Sequence, residues 1–127
     1  MYKVVVTNER LTEFRVKTAN YEFMIDSEGE KGITPPDTLL ASLGACIGVY
    51  IRKYAKNTSL DIRNFEITLE AELNAEKPAS FRKINAKISF AGLRLDEMRK
   101  RSIIAFIRNC PVHNTLHNSP EITTEIL

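Results

Sequence analysis

Residues 34–50, TPPDTLLASLGACIGVY, place a threonine and two prolines ahead of a run of small and apolar side chains, with Cys46 in its middle. Proline has no N–H to offer, which is harmless in the first turn of a helix, so Pro35 and Pro36 suit a helix start. Thr34 suits the N-cap before them. The spacing predicts a helix over about Pro36 to Lys56. Leu39, Leu43, Cys46 and Tyr50 share one face of it, with Val49 beside them, while Ala41, Gly44 and Gly48 fall nearly opposite. Glycine inside a helix costs about 1 kcal/mol relative to alanine, so two of them four apart predict a close approach by another backbone. A helix apolar all round is expected to be buried on all sides. The apolar run ends at Ile51 and is too short to cross a bilayer.

Before this helix the chain reads as strands. KVVVT, EFRVKT and YEFMID are short and rich in β-branched and aromatic residues, with turns at NERLT and AN. SEGEKGITPP carries two glycines and two prolines and reads as a loop. After the helix, FEITLEAEL and KINAKISFAG alternate apolar and polar residues around the polar NAEKPAS, which predicts a long hairpin with one wet face. From Asp96 a second helix is expected, with Ile103, Phe106, Ile107 and Cys110 inward and Pro111 ending or kinking it. A short turn over VHNTLHNS and a closing strand at EITTEI complete the prediction. Strands, helix, hairpin, helix and strand in that order make an α+β class with helices on antiparallel sheet.

Composition narrows the function classes. One domain over residues 1–127 is expected from the length. A formal charge of +2 is too slight to point to nucleic acid or a membrane surface. No leader is visible, which sets a cytoplasmic expectation. In a reducing compartment the two cysteines, Cys46 and Cys110, are then free, redox-active or metal-binding rather than a fixed staple.

Position alone leaves both thiols open. Cys46 lies mid-helix, so activating it needs a cation from another segment, with Arg10 and Arg15 the candidates and Lys53 reaching solvent. As a small hydrophobe it fits a core equally well. Cys110 precedes Pro111 and could cap the short helical turn, whose free N–H groups favour a thiolate. As the end of the preceding helix it meets the wrong pole of a dipole. CPVHNTLH, residues 110–117, adds His113 and His117 four apart, three possible zinc ligands with the cysteine or two ordinary turn histidines. No phosphate loop or dinucleotide fingerprint appears, and no cofactor or metal is expected.

TPPDTLLASLGAC and, further on, CPVHNTL together resemble the OsmC/Ohr family of osmotically induced and organic hydroperoxide resistance proteins. The resemblance covers nearly the whole chain. It implies an OsmC-like fold with a buried central cysteine-bearing helix, in an intertwined homodimer. It implies that Cys46 is the peroxidatic cysteine and Cys110 the resolving one, in a peroxidase that reduces organic hydroperoxides and is recycled by a dithiol or lipoyl-type reductant. Family members use an arginine held by a glutamate. Arg10 is the first choice for the arginine, with Arg15 second. The glutamate's place falls on Pro36, with Asp37 beside it as the substitute. Leu39, Leu43, Val49, Tyr50 and Phe106 would wall the substrate site. The alternative within the same fold is a module that binds a small apolar ligand or senses oxidants without catalysis.

Overall fold

The computed structural model describes residues 1–127, which divide into two compact units, Met1–Ala41 and Ser42–Leu127. The first holds an antiparallel meander of β1 (Val5–Arg10), β2 (Glu13–Lys17) and β3 (Glu22–Asp26), in that spatial order. Val6 faces Val16 and Arg15 faces Met24 across the ladders. Strand β1 runs further than its sequence suggests and takes in Asn8, Glu9 and Arg10. The reason is local. The Asn8 side-chain amide donates to the carbonyls of Leu11 and Glu13 at 3.2 and 3.1 Å, closing the reversal in two residues, with Leu11 at φ 42°.

At the end of β3, Asp26 is only 2% exposed. Its carboxylate accepts the backbone N–H groups of Glu28 and Lys31 at 3.0 and 2.9 Å and so organises the loop that follows. The loop returns Ile33 alongside Ile25 in a parallel bridge. Gly32 is required there, because a Cβ would stand 2.3 Å from the Met24 carbonyl oxygen. Thr34 caps the next helix as expected: its Oγ1 accepts the Asp37 N–H at 3.3 Å and its carbonyl accepts the Thr38 N–H at 2.9 Å.

Helix α1 (Pro35–Thr58) has one buried face, made by Leu43, Gly44, Ile47, Ile51, Tyr54 and Ala55. Burial on all sides, expected from its composition, does not occur within this chain: Ala45 is exposed and Val49 is 51% exposed. The glycine stripe meets side chains of the following strand rather than another backbone. A Cβ on Gly44 would lie 2.5 Å from Leu69 Cδ1, and one on Gly48 would lie 3.5 Å from Phe65. The Arg52 guanidinium donates to the carbonyls of Ile62 and Arg63 and sits 5.1 Å above the Phe65 ring, which fastens the link out of the helix.

The predicted hairpin forms from β4 (Phe65–Asn74) and β5 (Ser80–Phe90), with Ile67 opposite Ile88 and Leu69 opposite Ala86. Phe65, Ile67 and Leu69 pack on the core cluster, whereas Glu70 faces out and pairs with Lys87 at 3.5 Å. The alternation fails past Ala71. A register shift there leaves Leu73, expected on the inner face, 53% exposed.

Helix α2 (Glu97–Ile107) is capped by Asp96, whose carboxylate accepts the Arg99 N–H at 2.7 Å. It ends before Pro111 is reached. The expected short turn is a full helix, α3 (Pro111–Asn118). The closing strand at EITTEI is absent. A strand needs a ladder partner, and neither sheet of this chain takes one at 121–126, leaving Ile122 and Ile126 83% and 97% exposed.

Candidate functional site

The two cysteines, distant in sequence, are neighbours in the second unit. Ile47, Ile51, Tyr54, Ile103 and Cys110 belong to one buried cluster, and Cys46, next to Ile47 on α1, packs against it. Both thiols are free. Cys110 is fully buried and Cys46 is partly exposed.

The ambiguity over Cys110 is resolved by the break between α2 and α3. Cys110 is not the tail of α2 but the N-cap of α3, with extended backbone at φ −60°, ψ 119°. Its Sγ accepts the His113 N–H at 3.4 Å. Burial pushes the Cys110 thiol above its ordinary value, and the adjacent Cys46 thiol pushes the same way; the N–H groups of His113 and Val112 oppose them without prevailing. Cys110 therefore keeps its proton at neutral pH. Helix capping alone would have predicted the reverse, and the pull of desolvation was not legible from a Cys-Pro step.

Tyr50 and Phe106 stand together beside the thiols' cluster, with ring centroids 6.1 Å apart, and Tyr54 meets the same Phe106 ring edge-on at 5.6 Å. Lys53 lies over the outer face of Tyr50 at 4.6 Å. Of the other expected wall residues, Leu43 is buried, while Leu39 and Val49 are 38% and 51% exposed. An apolar groove of about 370 Å³ opens between β5 and α2, lined by Ile88, Phe90, Leu95, Ile103, Ile104 and Ile107, with Lys100 its one charged residue. None of the five expected wall residues lines it. Its signal was present in the sequence as the inward side of β5 and of α2.

In the first unit, Arg10 ends β1 opposite Glu13 and is exposed, with no ion-pair partner within 4 Å. Arg15 is engaged. Its guanidinium bonds Glu9 at 2.7 Å and approaches Glu22 at 3.5 Å, and these carboxylates raise its pKa, Glu9 foremost. Asp37 is exposed in the first turn of α1. No cluster of three or more His, Cys, Asp or Glu suited to a metal ion is formed. No helix is long and apolar enough to cross a membrane.

A family model described as OsmC-like protein matches residues 27–125. No curated protein matches the sequence. Among solved structures, a hypothetical protein from Aquifex aeolicus VF5 is similar at 22% identity and a TM-score of 0.80, covering 95% of this chain and 90% of its own. An OsmC-like protein from Mycoplasma pneumoniae gives 20% identity and 0.80, covering 94% and 89%. An organic hydroperoxide resistance protein from Legionella pneumophila gives 19% and 0.68, covering 91% and 90%. At these identities the likeness speaks for the fold.

Proposed function

The chain belongs to the OsmC-like protein family, and from that premise we propose a thiol-dependent peroxidase acting on organic hydroperoxides, with residues 1–127 as one OsmC-like domain. The observation that carries this reading is the pairing of a partly exposed Cys46 with a buried Cys110 beside it. A Cys46 thiolate attacks one oxygen of the O–O bond; that bond breaks, the leaving alkoxide takes a proton and departs as the alcohol, and Cys46 becomes a sulfenic acid. The Cys110 sulfur then displaces the sulfenic hydroxyl, which leaves as water with the Cys110 proton, and a Cys46–Cys110 disulfide remains. A dithiol or lipoyl-type reductant supplies two electrons and two protons to restore both thiols.

The division of labour follows from burial. A thiol held neutral does not compete for peroxide, so Cys110 waits until Cys46 is oxidised. The aromatic group of Tyr50 and Phe106, with Leu39, Leu43 and Val49, favours an alkyl or lipid hydroperoxide over a small polar one. Arg10, which has no ion-pair partner in its own sheet, is the better cation for Cys46 than Arg15, already committed to Glu9 and Glu22. Asp37 is the carboxylate proposed to hold Arg10. A second copy of the chain is the proposed cover for the exposed face of α1, in a homodimer.

The test is chemical. One equivalent of an alkyl hydroperoxide should remove both free thiols of the wild type and leave an intrachain disulfide that dithiols reverse. Cys46→Ser should consume no peroxide while keeping its fold. Cys110→Ala should accumulate a sulfenic acid on Cys46, trapped by a dimedone-type reagent and overoxidised by excess peroxide. Two free thiols in peroxide-treated wild type, with no adduct in Cys110→Ala, would overturn the mechanism. The groove between β5 and α2 favours one other reading, a module that binds a small apolar ligand without chemistry. That reading predicts saturable binding of an apolar dye, blocked by Ile104→Glu, in a protein whose thiols ignore hydroperoxide.

A further inference from the structure

The chain has two histidines, and both lie on α3. His113 and His117 are one helical turn apart, their rings parallel within 8° and their centroids 5.9 Å from each other. As placed, the two parallel rings do not aim at one point; histidines spaced i, i+4 on a helix converge on an ion once a ring turns, as in helical zinc sites built on this spacing. His113 carries a further feature of a ligand. Its Nδ1 faces the Asn114 Oδ1 at 3.5 Å. In the tautomer that donates its Nδ1 hydrogen to that oxygen the Nε2 lone pair is free, the arrangement an outer partner supports in a metal-bound histidine. His117 is exposed and free to turn toward the same ion.

We infer that His113 and His117 form a two-histidine chelate for a divalent late transition metal such as zinc, with water filling the remaining positions. Cys110, the third ligand that its spacing suggests, is excluded from the set. It is fully buried, its Sγ is occupied by the His113 N–H and the Cys46 thiol, and it forms no cluster with the two imidazoles. The site is therefore separate from the thiol pair, and it binds through neutral imidazoles without needing a thiolate.

Zinc is the probe of choice because it does no redox chemistry on the nearby thiols. Titration of the reduced full chain with zinc at neutral pH should give one ion per chain and shift the side-chain NMR signals of both histidines. His117→Ala should weaken binding by at least about tenfold, the lower range for loss of even an outer-shell partner. His113→Gln should do the same, with the far-ultraviolet dichroism of both variants unchanged. The count of thiols reactive toward a disulfide reagent should be equal with and without zinc. No saturable binding in the wild type would overturn the site, and so would wild-type affinity in either histidine variant. Zinc that masked the thiols would assign the metal to the cysteines instead.

Discussion

A single buried atom group can govern a segment, and Asp26 does so. Its carboxylate is held below the ordinary carboxylate range, first by the Lys31 N–H, then by the Glu28 N–H and the Thr12 side chain, against the opposing cost of burial. A depressed carboxyl contributes stability that is present above its unfolded value, near pH 3.9, and is lost as pH falls through the folded one. Urea midpoints should therefore drop from about pH 4 downward, and Asp26→Asn should flatten that acid limb while lowering the midpoint at pH 7. A variant as acid-sensitive as the wild type would remove Asp26 from the account. Tyr54 is a quieter case. Its hydroxyl meets the Arg99 guanidinium at 3.1 Å, and Tyr54→Phe should cost about 0.5–1.5 kcal/mol by thermal unfolding, the usual net worth of one hydrogen bond. Neither role was visible in the sequence, because Asp26 and Tyr54 take their partners from loops and helices whose packing no spacing specifies. The helical placement of Cys46 was legible by contrast, since a run of small and apolar residues after TPP is a local pattern.

Glycine separates three kinds of contact among the elements. Gly48 faces Phe65 at an ordinary 3.5 Å, so Gly48→Ala should stabilise α1 by about 1 kcal/mol. Gly44 presses on the tip of Leu69, and Gly44→Ala should gain nothing, because Leu69 must turn aside; the double change with Leu69→Ala should lose the clash, so the two costs will not add. Gly32 faces a backbone carbonyl that cannot turn aside. Gly32→Ala should cost about 1–3 kcal/mol and break the Ile25–Ile33 bridge, measured by denaturant unfolding and amide exchange at Ile33. Equal stabilities for Gly48→Ala and Gly32→Ala would sink this ranking. Elements themselves were readable where period was clean: α1, the Phe65–Phe90 hairpin and the start of α2 lie close to where periodicity puts them. The purpose of the glycine stripe was misread, because a small-residue face accepts a strand's side chains as readily as a helix. The strand at 121–126 was misread because β-propensity describes a segment and pairing describes two.

At the scale of the whole molecule, apolar residues remain uncovered. Every residue of β1 is exposed, Val5 and Val6 among them, and the tail residues Ile122, Ile126 and Leu127 are exposed as well. Two strands, as in the β4–β5 sheet, are seldom stable without further packing. If a second copy supplies the missing cover, light scattering at micromolar concentration should give twice 14.4 kDa, and the melting temperature should rise with protein concentration. A monodisperse monomer with a concentration-independent melt would refute the assembly. Strand β1 is also an open edge of its sheet, with a row of backbone groups that accept any extended chain. For a newly made polypeptide this turns assembly into a race. In that proposed dimer the correct encounter is second order in chain, while off-pathway growth past two chains takes further encounters. Refolding yield at a fixed time should then pass through a maximum as concentration rises, limited by search on the dilute side and by clumping on the crowded side.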